Sequence, residues 1–118
     1  MNFFLHLSTC STCKQIIKEL NLPNDVDAID VKKFPITLAQ IEELHTKKGS
    51  YKSLINNRAQ LFKQLNIDTK KLTEEKAKKL LSDHYTFLKR PVLVYKGRAF
   101  VGNSKEEIES AKKWLNEQ

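Results

Sequence analysis

Ser8-Thr9-Cys10-Ser11-Thr12-Cys13 is the stretch that decides how the rest of the chain is read. Its cysteines are the only two in 118 residues. Before them, Phe3-Phe4-Leu5 is an apolar run of strand length. After them, Ile16, Ile17 and Leu20 follow Cys13 at helical spacing, so Cys13 opens the apolar face of a helix. Ser8, Thr9 and Ser11 are the candidate caps of that helix. The pair thus sits where a strand passes into a helix N-terminus, a place where free N–H groups and the helix dipole favour an anion. Cysteine reacts as its thiolate, and such a position lowers the thiol pKa below its free value of about 8.5. Cys10 comes first and is the expected nucleophile. Cys13, one turn on, is placed to resolve an adduct formed on Cys10. Lys14 adds positive charge beside them.

Other uses of two cysteines are weighed against this one. A zinc site would need a second pair, and His6, His45 and His84 are scattered without ligand spacing, so no metal is expected. A disulfide serving only as a staple would close so short a loop that it would hardly constrain the unfolded chain. Two inert cysteines in a core remain an open alternative. A CxxC after a strand in a chain with no other cysteine favours redox chemistry.

The chain length fits one domain, taken as residues 1–118. No apolar stretch approaches the roughly 20 residues that span a bilayer. Met1-Asn2-Phe3 leads straight into the first strand without a charged leader, so the expected location is cytoplasmic, with no membrane contact. The net charge is +7. Its lysines fall in pairs (Lys47-Lys48, Lys70-Lys71, Lys78-Lys79, Lys112-Lys113) interleaved with glutamates, which reads as solvated helix faces. No DNA- or RNA-binding motif accompanies them, so direct nucleic-acid binding is not expected.

Along the chain, Asn21 to Asp25 is a turn cluster, and Val26 to Val31 reads as a second strand with Ile29 and Val31 alternating against aspartates. Strand, helix and strand make a βαβ unit whose strands should be parallel. Thr37 and Gln40 form a capping box for a helix bearing Leu38, Ile41 and Leu44, stopped at Gly49. A third helical stretch carries Tyr51, Leu54, Ile55, Leu61, Phe62 and Leu65, interrupted by Asn56-Asn57-Arg58. Thr73 caps a fourth helix running to about His84. Pro91 to Tyr95, a Lys96-Gly97 turn and Arg98 to Val101 read as a hairpin. Ser104 with Glu107 makes a second capping box, and the last helix buries Ile108, Ala111 and Leu115 beside Trp114. The order β-α-β, helical block, β-β-α, with a CxxC in the first βα loop, predicts an α/β thioredoxin-like fold with a mixed sheet. The helical insertion is expected at about 37–86.

Four pieces carry a family resemblance: Cys10-Ser11-Thr12-Cys13, Leu54-Ile55-Asn56-Asn57-Arg58, Leu88 to Val94, and Phe100 to Ile108. Together they resemble the arsenate reductase (ArsC) and Spx family, nearer its Spx-like CxxC branch. The resemblance implies Cys10 as nucleophile and Cys13 as the second cysteine of that branch. It implies that Arg58 and Arg90 hold an anion, with Pro91 cis beside the nucleophile. Ser11 and Thr12 in the first helical turn join Arg58, Arg90 and Pro91 as the expected contacts to an oxyanion or substrate. The arsenate reductases resemble one another in a third arginine near Val101-Gly102, which is absent here, and Arg98 lies too early to replace it. Two functions follow as expectations. One is a thiol oxidoreductase acting on a small oxyanion or a thiol/disulfide, monomeric, with no bound cofactor and reset by glutathione, glutaredoxin or thioredoxin. The other is an Spx-like redox-sensing regulator that binds the α subunit of RNA polymerase, near whose contact glycine Gly49 falls one position out of register.

Overall fold

A computed structural model describes residues 1–118 as two compact units, Met1–Phe34 with Arg90–Gln118, and Pro35–Lys89. In the first unit the order is β1 (Phe3–His6), α1 (Ser11–Leu20), β2 (Asp27–Asp30), then β3 (Val92–Tyr95), β4 (Arg98–Val101) and α5 (Lys105–Asn116). The four strands form one sheet in the order β2-β1-β3-β4. β1 runs parallel to β2, with Leu5 opposite Ile29 and His6 opposite Asp30. It runs antiparallel to β3, with Leu5 opposite Val92. The mixed α/β sheet and its helices are those of a thioredoxin-like fold, as the element order predicts.

The central strands are short and apolar because they are buried on both faces. On one face Phe4, Leu93, Tyr95 and Phe100 pack with Ile16 and Leu20 of α1 and Ile108, Ala111 and Leu115 of α5. On the other, Phe3, Leu5, Val92 and Val94 are also buried. Trp114 donates its Nε1–H to the Tyr95 carbonyl at 2.8 Å. The Arg98 guanidinium lies 5.0 Å from the Trp114 ring and 5.2 Å from the Phe100 ring. That arginine is therefore part of the α5 packing.

The β3–β4 turn is Lys96-Gly97, with φ of +46° and +83°. Two positive φ values make the tight turn whose twist suits a hairpin. Beyond Gly97 there is open space where a Cβ would stand, so only the backbone conformation resists a side chain there. Gly97→Ala is expected to cost about 1–2 kcal/mol, read as a lowered midpoint in urea with an unchanged slope. A neutral outcome would mean that the turn relaxes at no cost.

The second unit holds α2 (Leu38–Lys48), α3 (Leu61–Gln64) and α4 (Glu74–Asp83), joined by single 3₁₀ turns at Lys52–Leu54, Thr69–Lys71 and Tyr85–Phe87. The Thr37–Gln40 capping box forms, and Gly49 ends α2 at φ +80°. Thr73 caps α4 through the Lys76 N–H. The third helical stretch expected from Tyr51 to Leu65 is not continuous. Ile55 is extended and bridges Leu88, and Asn56 donates its N–H to the Phe87 carbonyl at 2.7 Å. Long-range pairing thus overrides the local helical period. Glu74 fastens the preceding turn by accepting from Ser50 Oγ and from the Tyr51 and Lys52 N–H groups.

Candidate functional site

β1 delivers the chain to a turn closed by the Cys10 N–H on the Leu7 carbonyl at 3.0 Å. Cys10 then takes an extended conformation, φ −91° and ψ 116°, and is itself the N-cap of α1. This corrects the expectation that Ser8, Thr9 or Ser11 caps the helix. The Cys10 side chain makes no capping hydrogen bond, but its place at the N-cap sets the sulfur beside the N–H groups of the first turn. Their positive ends are what the dipole argument requires.

No disulfide joins the two cysteines; Cys10 is half-buried and Cys13 2 % exposed. The Cys13 N–H is the largest influence on Cys10 and lowers its thiol pKa against the opposing effect of burial. The Cys13 side chain, the Thr12 N–H and the Arg90 guanidinium act in the same direction. Burial pushes the Cys13 thiol up, opposed by the Leu7 N–H and reinforced by the neighbouring Cys10. Two thiols one turn apart are thereby driven in opposite directions, one toward an anion and one toward a retained proton.

Arg90 and Pro91 stand at the start of β3, whose Val92 lies opposite Leu5 of β1. The Arg90–Pro91 peptide bond is cis. Half-buried Arg90 acts electrostatically on both sulfurs. The first unit thus gathers Cys10, Cys13, Ser11, Thr12, Arg90 and Pro91. Arg58 belongs to the second unit, where it is exposed, donates its N–H to Asn56 Oδ1 at 3.2 Å, and lines a cavity of about 520 Å³ with Asn57, Lys63 and Thr69.

The place of the missing arginine is closed by structure. Val101 is 9 % exposed and faces Val92 across the hairpin. Its N–H donates to Glu107 Oε2 at 2.7 Å. Gly102 sits at φ +95°, a conformation that an arginine adopts only with strain. No group of three or more His, Cys, Asp or Glu side chains gathers as a metal set. No helix is long and apolar enough to cross a membrane.

Sequence reasoning overlooked Asp30. Alternation in β2 placed its aspartates outward, yet Asp30 is the one charged side chain among the buried residues, at 8 % exposure. Its Oδ2 accepts from Ser8 Oγ at 2.6 Å and its Oδ1 from the Lys32 N–H at 3.0 Å. Those bonds, Ser8 first, hold its carboxyl below the usual carboxylate range. The only hint in the sequence is a serine ahead of the CxxC and an aspartate ending a strand. His6, opposite Asp30, has its pKa lowered by burial, with the Asp30 charge opposing.

The ArsC family model matches residues 5–111. An arsenate reductase of Neisseria meningitidis is 28% identical over 98 residues, covering 81% of this chain and 74% of its own. The global transcriptional regulator Spx 1 of Bacillus cereus is 24% identical over 104 residues, covering 85% of this chain and 78% of its own. The crystal structure of an ArsC family related protein from Bacteroides fragilis superposes with a TM-score of 0.73 at 25% identity, covering 93% of this chain and 96% of that one. The match spans the CxxC turn, the Asn56-Asn57-Arg58 segment and the cis-proline alike, and the chain belongs to the ArsC family.

Proposed function

We propose that this protein carries out thiol–disulfide redox chemistry, with Cys10 as nucleophile and Cys13 as resolving thiol. The observation that carries the reading is the opposed environment of the two sulfurs. Cys10 holds the N-cap position of α1, where the Cys13 and Thr12 N–H groups favour its thiolate, while Cys13 is buried one turn on. In the first step the Cys10 thiolate attacks a substrate disulfide, forming a mixed disulfide and releasing the other half as a thiolate. Cys13 then loses its proton and attacks the Cys10 sulfur, expelling the second thiolate and leaving a Cys10–Cys13 disulfide. The substrate gains two electrons and the protein loses two. A thiol donor of the glutathione, glutaredoxin or thioredoxin kind restores the reduced pair, and no bound cofactor is needed.

Arsenate is a poor substrate on this reading. An oxyanion at Cys10 would meet the helix N-terminus and Arg90, and the position near Val101-Gly102 adds no arginine. Losing one charged donor weakens binding roughly tenfold to a hundredfold. Alkylation against pH, resolved by peptide mass, tests the central assignment. The Cys10 profile is expected to have its midpoint below that of a free thiol and the Cys13 profile above it. Faster labelling of Cys13 than of Cys10 at neutral pH would reverse the roles.

A second reading is favoured by relatives named as global transcriptional regulators, including Spx of Bacillus subtilis. In it the same cysteine pair is a redox switch, and the chain binds the α subunit of RNA polymerase. A pull-down with that subunit, run beside disulfide exchange and arsenate reduction assays, separates the two. Retention on the subunit without turnover supports the regulator.

A further inference from the structure

A carboxylate withdrawn from water needs partners, and Asp30 is the one charged residue of low exposure in the fold. It stands at the end of β2, beneath the turn that leads to Cys10. Its backbone is already used, since its carbonyl accepts from the Lys33 and Phe34 N–H groups. One carboxylate oxygen closes the local turn on the Lys32 N–H, which an asparagine would do as well. The other oxygen reaches 22 residues back along the chain to Ser8, at the short distance of 2.6 Å expected of a hydroxyl on an anion.

Ser8 lies inside the turn that Leu7 and Cys10 close. The Leu7 N–H faces the Cys13 sulfur, and Cys10 follows two residues after Ser8. β1 pins one end of this turn and α1 the other. Its middle is held across to β2 by the Ser8–Asp30 bond. We propose that Asp30 is a positioning residue of the redox site, acting through Ser8 to hold the Leu7–Cys10 turn so that backbone N–H groups stay aimed at the two sulfurs. The inference rests on the redox reading above and adds to it the part that orients the nucleophile.

The sign of the effect separates positioning from a direct field. If Asp30 acted on Cys10 merely as a negative charge, removing it would make the Cys10 thiolate easier to form. If it acts through Ser8, removing either partner lets the turn drift and makes the thiolate harder to form. Ser8→Ala leaves the charge in place, and Asp30→Asn removes it while keeping the shape.

The test is the pH profile of Cys10 alkylation by iodoacetamide in the full-length protein, with peptide mass identifying the labelled cysteine. Ser8→Ala and Asp30→Asn are each expected to move the profile to higher pH and to slow labelling at neutral pH about threefold to tenfold. The double variant should be little slower than either single one, because Ser8→Ala removes this bond and Asp30→Asn leaves Ser8 only a weaker, neutral amide N–H in place of the carboxylate. Ser8→Thr, which keeps the hydroxyl, should label at close to the unmodified rate, and it covers the case in which Ser8→Ala fails to fold. Unchanged Cys10 profiles in folded Ser8→Ala and Asp30→Asn would overturn the proposal, as would faster labelling in Asp30→Asn. A Cys10 that labels no faster than a free thiol in the unmodified protein would instead overturn the redox reading, and this inference with it.

Discussion

With Cys10 changed to serine, disulfide exchange is expected to fall to background, a loss on the order of 10³-fold or more. The N–H groups of the first α1 turn stabilise an anion, but a serine hydroxyl does not supply one near neutral pH, and no base has been placed against it. Cys13→Ser should behave differently. Its first step is intact, so Cys10 still attacks, but the mixed disulfide has no internal thiol to release it. The variant should therefore accumulate one adduct per chain, visible as an added mass that dithiothreitol removes. The pair of results is more telling than either alone. Exchange surviving in Cys10→Ser and lost in Cys13→Ser would assign the nucleophile to the buried position and undo the argument from the helix N-terminus.

Phe4→Ala is expected to bring the protein close to unfolding. Phe4 is fully buried on the second strand of the sheet, opposite Leu93, and packs in the cluster that joins α1 and α5 to the sheet. Truncating a buried phenylalanine costs about 3–5 kcal/mol. That is a large part of the total of about 5–15 kcal/mol that holds a typical domain together. A fall of roughly 10–25 °C in melting temperature follows for a chain of this size. A fall of under about 5 °C would mean that the cluster closes over the gap more readily than close packing allows.

The sequence was most legible where local chemistry acts alone. Thr37 with Gln40, Thr73 and the Lys96-Gly97 turn announce their elements because a cap or a positive φ is decided within four residues. The CxxC could be placed at a helix start for the same reason. The identity of the cap could not, since serine and threonine have the higher propensity and only the turn from Leu7 shows that Cys10 occupies the position. The stretch from Tyr51 to Leu65 misled because its apolar spacing suits a helix, while the pairing of Ile55 with Leu88 is settled 33 residues away. Asp30 was illegible on the same grounds. Nothing near it in the chain says that a serine 22 residues earlier will donate to its carboxylate.

The order β2-β1-β3-β4 leaves two strands at the margins of the sheet, and each is poorly suited to recruit a further strand. β2 has four residues, two of them aspartates, with Asp27 in solvent. β4 opens on a cation, Arg98, and at its far end the Val101 N–H is already taken by Glu107. The margins thus present short strands with charged residues, and on β4 one backbone donor already in use. The glutamate in the first turn of α5 thereby serves the sheet as well as its own helix, taking up a backbone donor at the end of a marginal strand.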